Sequence, residues 1–229
     1  MCVIKTQQSL SFVFHIDTSP IICNNQYKNT GQTCSLQLSE ITTDKGGQTM
    51  PEKYEELKQK ALSCGFSHVG DLDASTIQVR SEVRSACAEN KCQHYNKNWV
   101  CPPGCGTLEE CSEQIHKYAG GLIVQTTGEL EDSFDIEGMQ ELGERHKEAF
   151  HKFAAMVREE YPGALVLGDG PCENCKECTY PDAPCRFPER QSSAMEAYGM
   201  LDSEVCQKND ILYYYGPGTL TLVGCILVE

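Results

Sequence analysis

Four cysteines, Cys172, Cys175, Cys178 and Cys185, follow the spacing C-x2-C-x2-C-x6-C. Three thiols two residues apart can converge on one centre from a short loop. In the ferredoxin run such a loop holds three irons of a cubane cluster, and a fourth cysteine follows further on. Here the fourth cysteine follows after six residues, with Arg186 rather than proline behind it. The spacing suits a four-iron cluster better than zinc, whose sites commonly use two separated C-x2-C pairs. Zinc, disulfides and free thiols are the alternatives.

A second group comprises Cys87, Cys92, Cys101, Cys105 and Cys111. Cys87, Cys92 and Cys101 are candidate metal ligands, with Cys105, Cys111 or the non-cysteine His94 as the fourth. A cubane held by only three sulfurs leaves one iron open to substrate, which would allow an enzyme. A filled set transfers electrons or stiffens the fold. The bland alternatives are a structural zinc site or thiols packed as small hydrophobes. Cys101-Pro102-Pro103-Gly104-Cys105 is excluded from helix, because proline removes a donor and fixes the backbone. It reads as a stiff loop that holds a sulfur in place.

The chain has 229 residues, 15 of them cysteine, and a formal charge of −14. That length supports one domain of ample core or two small ones. The acidity argues against nucleic acid and anionic membrane surfaces, whose phosphates select clustered Lys and Arg. Its simplest role is solubility, with docking of a redox partner protein as a further use. Fifteen cysteines in a secreted chain suggest disulfides. Here His15 and Asp17 break the short apolar run Leu10–Ile16, no small-residue cleavage site follows, and the odd count leaves a thiol over. A reducing cytoplasm with metal-bound thiolates is the expectation. No apolar run reaches the roughly 18 residues of a membrane span.

The positioning elements follow from periodicity. Residues 1–49 are polar without a sustained period and read as an N-terminal extension that ends in a linker at Lys45-Gly46-Gly47-Gln48. Met50 reads as the start of the cysteine-rich metal-binding domain, 50–229. Tyr54, Leu57, Ala61 and Leu62 form one helical face, with Pro51 at its start and Gly65 at its stop. His68–Val79 reads as extended. Thr107-Leu108-Glu109-Glu110 is a capping box, followed by the face Leu108, Cys111, Ile115 and Tyr118. Leu122–Thr127 is a strand. Met139, Leu142, His146, Ala149, Phe150, Phe153 and Val157 line a long helix from about Glu137 to Tyr161. A short buried strand, Ala164–Leu167, delivers the chain to Cys172. Ser193-Ala194-Met195-Glu196 reads as a second capping box. Leu212–Tyr215 and Thr219–Val228 read as a hairpin through Gly216-Pro217-Gly218. The fold class expected is α/β or α+β, a mixed sheet with flanking helices around a single core that carries two cysteine-rich metal-binding loops.

Together, Cys87-x4-Cys92-x2-Tyr95-x5-Cys101-Pro102-Pro103, Gly170-x-Cys172-x2-Cys175-x2-Cys178, Pro184-Cys185-Arg186-x-Pro188 and Ser193-x-Met195-Glu196-Ala197-Tyr198-Gly199 resemble a bacterial and archaeal family. That family is the predicted metal-binding proteins of domain of unknown function family 2284. The resemblance covers about residues 50–229. It implies a metal or iron–sulfur site and supplies no reaction.

Other titratable residues carry less. His116, His146 and His151 read as surface or core-edge helical residues. Asp169 beside the cysteine loop caps backbone donors or donates a proton. Arg186 and Arg190 are placed to neutralise a cluster by hydrogen bonding. Met195 reads as core. The function expected is an iron–sulfur protein, 4Fe-4S at the Cys172 loop with a possible second cluster, acting in redox or electron transfer. An open-cluster enzyme and a zinc-stabilised interaction module are the alternatives.

Overall fold

The structure is a computed structural model that describes residues 50–228. The extension and linker read at residues 1–49 lie outside the described residues. The elements are α1 (Met50–Cys64), β1 (His68–Asp73), α2 (Ser81–Ala88), α3 (Leu108–Ile115), β2 (Gly120–Glu129), α4 (Ile136–Glu160), β3 (Leu165–Gly168), β4 (Ser193–Ala194), α5 (Asp202–Lys208) and β5 (Thr219–Val228). Short 3-10 turns lie at Ala74–Thr76, Pro188–Arg190 and Glu196–Tyr198.

The strands form one open mixed sheet in the order β1-β2-β5-β3-β4. All neighbours are antiparallel except β3 and β4, which run parallel with Leu167 opposite Ser193. The fold is therefore α+β, the second of the two expected classes. A parallel pair needs a crossover of a dozen or more residues, usually a helix. Between β3 and β4 that crossover is the Cys172 loop with its Pro188–Arg190 turn. The cysteine loop thus leaves from the end of one strand and returns at the start of its neighbour, anchored to the sheet at both ends.

The sheet buries both faces, because side chains alternate along its central strands. Leu122, Val124, Val166, Ile226 and Val228 pack with Tyr54, Leu57 and Ala61 of α1 and Ala149, Phe150, Phe153 and Val157 of α4. Ile123, Leu167, Val223, Cys225 and Leu227 face the other way, onto Ile115, Met195, Tyr198, Met200 and Val205. Gly224 lets α4 approach: a Cβ there would lie 2.5 Å from Phe150 Cε2. The α4 face is the one its period predicts, with His146 fully buried within it. In α1, Tyr54, Leu57 and Ala61 are buried, whereas Leu62 is 42% exposed and lies off the predicted face. Gly65 ends α1 at φ 113°, a left-handed conformation that favours glycine.

Three local expectations differ from the structure. Ser193–Ala194 is strand β4, and Met195 precedes a 3-10 turn with no side-chain cap bond, so there is no second capping box. Residues 212–215 form no strand, and β5 pairs with β2 and β3 rather than with a hairpin partner. The extended stretch at His68 ends at Asp73, where the Asp73 side chain accepts from the Ser75 N–H and starts a 3-10 turn.

Candidate metal centre

Helix α3 begins with the predicted capping box: the Glu110 N–H donates to Thr107 Oγ1 at 3.1 Å, and the Thr107 N–H donates to Glu110 Oε2 at 2.7 Å. This fixes the exit of the Cys101–Cys105 loop. Its entrance is fixed by Asn98, 5% exposed, whose Oδ1 accepts from the backbone N–H groups of Val100 and Cys101 at 3.1 and 2.8 Å. A side chain that bonds its own backbone two and three residues on makes an Asx turn. Asn98 before Cys-Pro-Pro was a readable turn signal that the cysteine spacing overshadowed.

The two cysteine loops dock on each other. Trp99 Nε1 donates to the Ala183 carbonyl at 3.1 Å, and its ring meets Tyr180 edge-on at 4.9 Å. The Tyr180 hydroxyl donates to Asn96 Oδ1 at 3.1 Å. Gly104 permits the approach, since a Cβ there would lie 2.3 Å from the Asn98 carbonyl oxygen and 3.0 Å from Tyr180 Cε2.

As a result, Cys87 at the end of α2, Cys92, Cys101 and Cys172 become electrostatic neighbours. Burial pushes the Cys101 thiol up to about 11, and the charges of Cys92, Cys87 and Cys172 push in the same direction. Cys87 is raised likewise, by burial first and then by Glu196 and Cys92. Cys101 is buried, Cys87 and Cys172 are half-buried and Cys92 is exposed.

Cys175, Cys178 and Cys185 are half-buried in the crossover loop. Nitrogen donors point at sulfur there: Asn174 Nδ2 lies 3.2 Å from Cys172 Sγ, and the Phe187 N–H lies 3.4 Å from Cys185 Sγ. Arg186 bonds the Glu177 carbonyl at 2.8 Å, and Arg190 lies over the Phe187 ring. The described contacts of both arginines are therefore to the loop, not to a sulfur. An open concavity of about 640 Å³ is lined by Cys175, Lys176, Glu177, Arg186 and Phe187.

Cys105 has a different neighbour, Cys111. Cys105 Sγ lies 3.7 Å from the Ala197 carbonyl and Cys111 Sγ 3.6 Å from the Cys105 carbonyl, and the interaction between the two thiols raises the pKa of Cys105 strongly and lowers that of Cys111 to about 6. Arg84 Nη1 stands 3.6 Å from Cys111 Sγ. The same guanidinium donates to the carbonyls of Ala197 and Gly106. Arg84 is a residue that spacing alone did not single out. The other expected residues are placed as follows: Met195 is fully buried, and His146 Nδ1 is 2.8 Å from Thr126 Oγ1. His146 Nε2 has no hydrogen-bond partner and faces Asp169 Oδ1 at 3.9 Å. His116 caps the end of α3, and His151 is exposed.

Among the described residues, no three His, Cys, Asp or Glu side chains already stand at the spacing of a bound ion. The donor chemistry nevertheless fits a thiolate-bound metal. Clustered thiols that raise one another's pKa ionise together only when a cation neutralises them, so metal binding is coupled to their proton release. N–H···S contacts are the interactions that orient and tune sulfur ligands.

An α+β protein with two docked cysteine loops defines a thiol-rich metal-binding class. Residues 70–228 match the family model for predicted metal-binding protein (DUF2284), and the chain belongs to that family. No curated protein and no solved structure matches it. No described helix is long and apolar enough to cross a membrane.

A crowd of acids borders the centre. Burial pushes Glu196 up to about 7, helped by the charge of Asp169. Burial also raises Asp202, whose Oδ1 is buried with no hydrogen-bond partner. A raised carboxyl contributes stability that is complete below its unfolded value, 4.5 for Glu196, and is lost as pH rises through about 7. The melting temperature should therefore fall between pH 5 and 8, and Glu196→Gln with Asp202→Asn should flatten that slope. A wild-type slope of the opposite sign contradicts the assignment.

Proposed function

We propose that the protein is an iron–sulfur protein of redox or electron-transfer function, with Cys172, Cys175, Cys178 and Cys185 holding one cluster and Cys87, Cys92 and Cys101 a second centre. The observation that supports this is the docking of the two loops, which sets Cys172 beside Cys87, Cys92 and Cys101. A cluster bound there supplies one-electron transfer. The protein's own groups do the rest. Asn174 and the Phe187 N–H donate toward sulfur, which favours the more negative, reduced state. The Pro-Pro turn and Asn98 hold Cys101 in place, so little rearrangement accompanies electron transfer. A redox partner protein receives or supplies the electron.

Metal analysis tests this. Full-length protein reconstituted anaerobically should hold iron and acid-labile sulfide, with broad visible absorption that bleaches on dithionite. A colourless protein that holds zinc instead overturns the cluster assignment and favours a structural centre.

A further inference from the structure

Beside the cysteine loop lies a cavity of about 180 Å³ whose lining includes Gly143, Lys147 and His151 of α4, Asp169, Cys172 and Arg190. It is smaller than the sites that enclose drug-sized ligands, and it sets charged side chains beside Phe150, Pro171 and glycine backbone. Gly143 gives it room. Glycine inside a helix costs about 1 kcal/mol relative to alanine. Nothing lies within 4 Å of where a Cβ at Gly143 would stand. No packing contact accounts for the missing side chain, and its effect is an open wall. Gly170 across the cavity is equally unobstructed.

The lining charges divide by availability. Lys147 is paired with Glu173, which links α4 to the cysteine loop. Arg190 lies over the Phe187 ring and has a loose pair with Glu189 at 3.6 Å, with both charged side chains exposed; the edge of its guanidinium keeps N–H donors for an oxyanion. Asp169, whose Oδ1 stands 3.9 Å from His146 Nε2, supplies the acceptor. Partial desolvation of its ring, then the charges of Lys147 and Arg158, lower the pKa of His151, against the opposing charge of Asp169.

We propose that this cavity binds a small hydroxycarboxylate, its carboxylate on Arg190 and its hydroxyl donating to Asp169, next to Cys172. The role as a substrate site rests on the metal-centre assignment above; the binding itself does not. The ligand then lies against the loop that carries Cys172.

The probe is 3,3,3-trifluorolactate, followed by 19F line broadening with the full chain, alongside metal analysis of the same sample. Wild-type protein should broaden the signal, and unlabelled lactate should restore it. Arg190→Gln should weaken binding by about tenfold or more, the scale of one charge-assisted hydrogen bond. Gly143→Leu should abolish broadening while melting temperature and metal content hold, since the added side chain enters open space on a helix. Trifluoroethanol, which lacks the carboxylate, should not broaden. Equal broadening by Gly143→Leu and wild type, or by trifluoroethanol and trifluorolactate, overturns the proposal. Binding without metal sinks the metal-centre assignment and leaves the pocket standing; metal without binding sinks the pocket alone.

Discussion

Cys101→Ser should strip the metal from the Cys87 group and also change the spectrum of the Cys172 group. Serine keeps the shape of the turn but replaces a soft thiolate with a hydroxyl, a far poorer ligand for iron or zinc. The effect on the Cys172 group follows from position. Cys101 is buried in the dock between the loops, and Cys172 contributes to its raised pKa. Removing one sulfur changes the charge and hydrogen bonding felt by a centre next to it, and both set cluster potential. Cys64→Ser is the control, since Cys64 lies on α1 with its sulfur 3.7 Å from Met156 Sδ, outside both cysteine loops. Metal content per chain and the electron paramagnetic spectrum decide the matter. Full metal content in Cys101→Ser, or loss at the Cys87 group with an unchanged Cys172 spectrum, contradicts the docked arrangement.

The local chemistry was legible in the sequence and the long-range pairing was not. The α4 face was readable because its apolar residues recur over 25 residues, far more than any other helix here. The Thr107 box was readable because both of its bonds are local. The hairpin at Leu212–Tyr215 failed for a long-range reason. Those residues alternate like a strand, yet their contacts go to one buried side chain on β2. Gln125, fully buried, donates to the Leu212 carbonyl at 3.0 Å and accepts from the Tyr215 hydroxyl at 2.8 Å. The Tyr215 ring also stacks on His68 at 4.2 Å. A glutamine in an apolar strand gives no warning that it holds a segment far along the chain. The cysteine spacings singled out each loop in the sequence. That the loops meet depends on Trp99, Tyr180 and Gly104, whose roles appear only when the fold brings them together.

Arg84→Met should destabilise the fold and release metal together. Arg84 ties three separate pieces of chain through one rigid fork. It projects from α2, which carries Cys87, and donates to Gly106 after the Cys101 loop and to Ala197 in the turn after β4. Methionine keeps the apolar stem but leaves both carbonyls without that donor. Unpaired buried acceptors cost about 1–3 kcal/mol each, and these are only partly buried, so about 2–4 kcal/mol in all is expected. For a domain of this size that is a fall in melting temperature of roughly 5–12 °C. Cys111 also loses its cationic neighbour, so its thiol should be harder to ionise. Arg84→Lys tests geometry against charge: a single ammonium keeps the charge but lacks the fork that reaches both carbonyls at once. It should therefore recover ionisation at Cys111 more fully than it recovers stability. The readouts are thermal unfolding, metal content, and the pH dependence of thiolate absorbance compared between each variant and the same variant carrying Cys111→Ala. A melting temperature and metal content like those of wild type in Arg84→Met would show that α2 and the Cys101 loop hold together without the clamp.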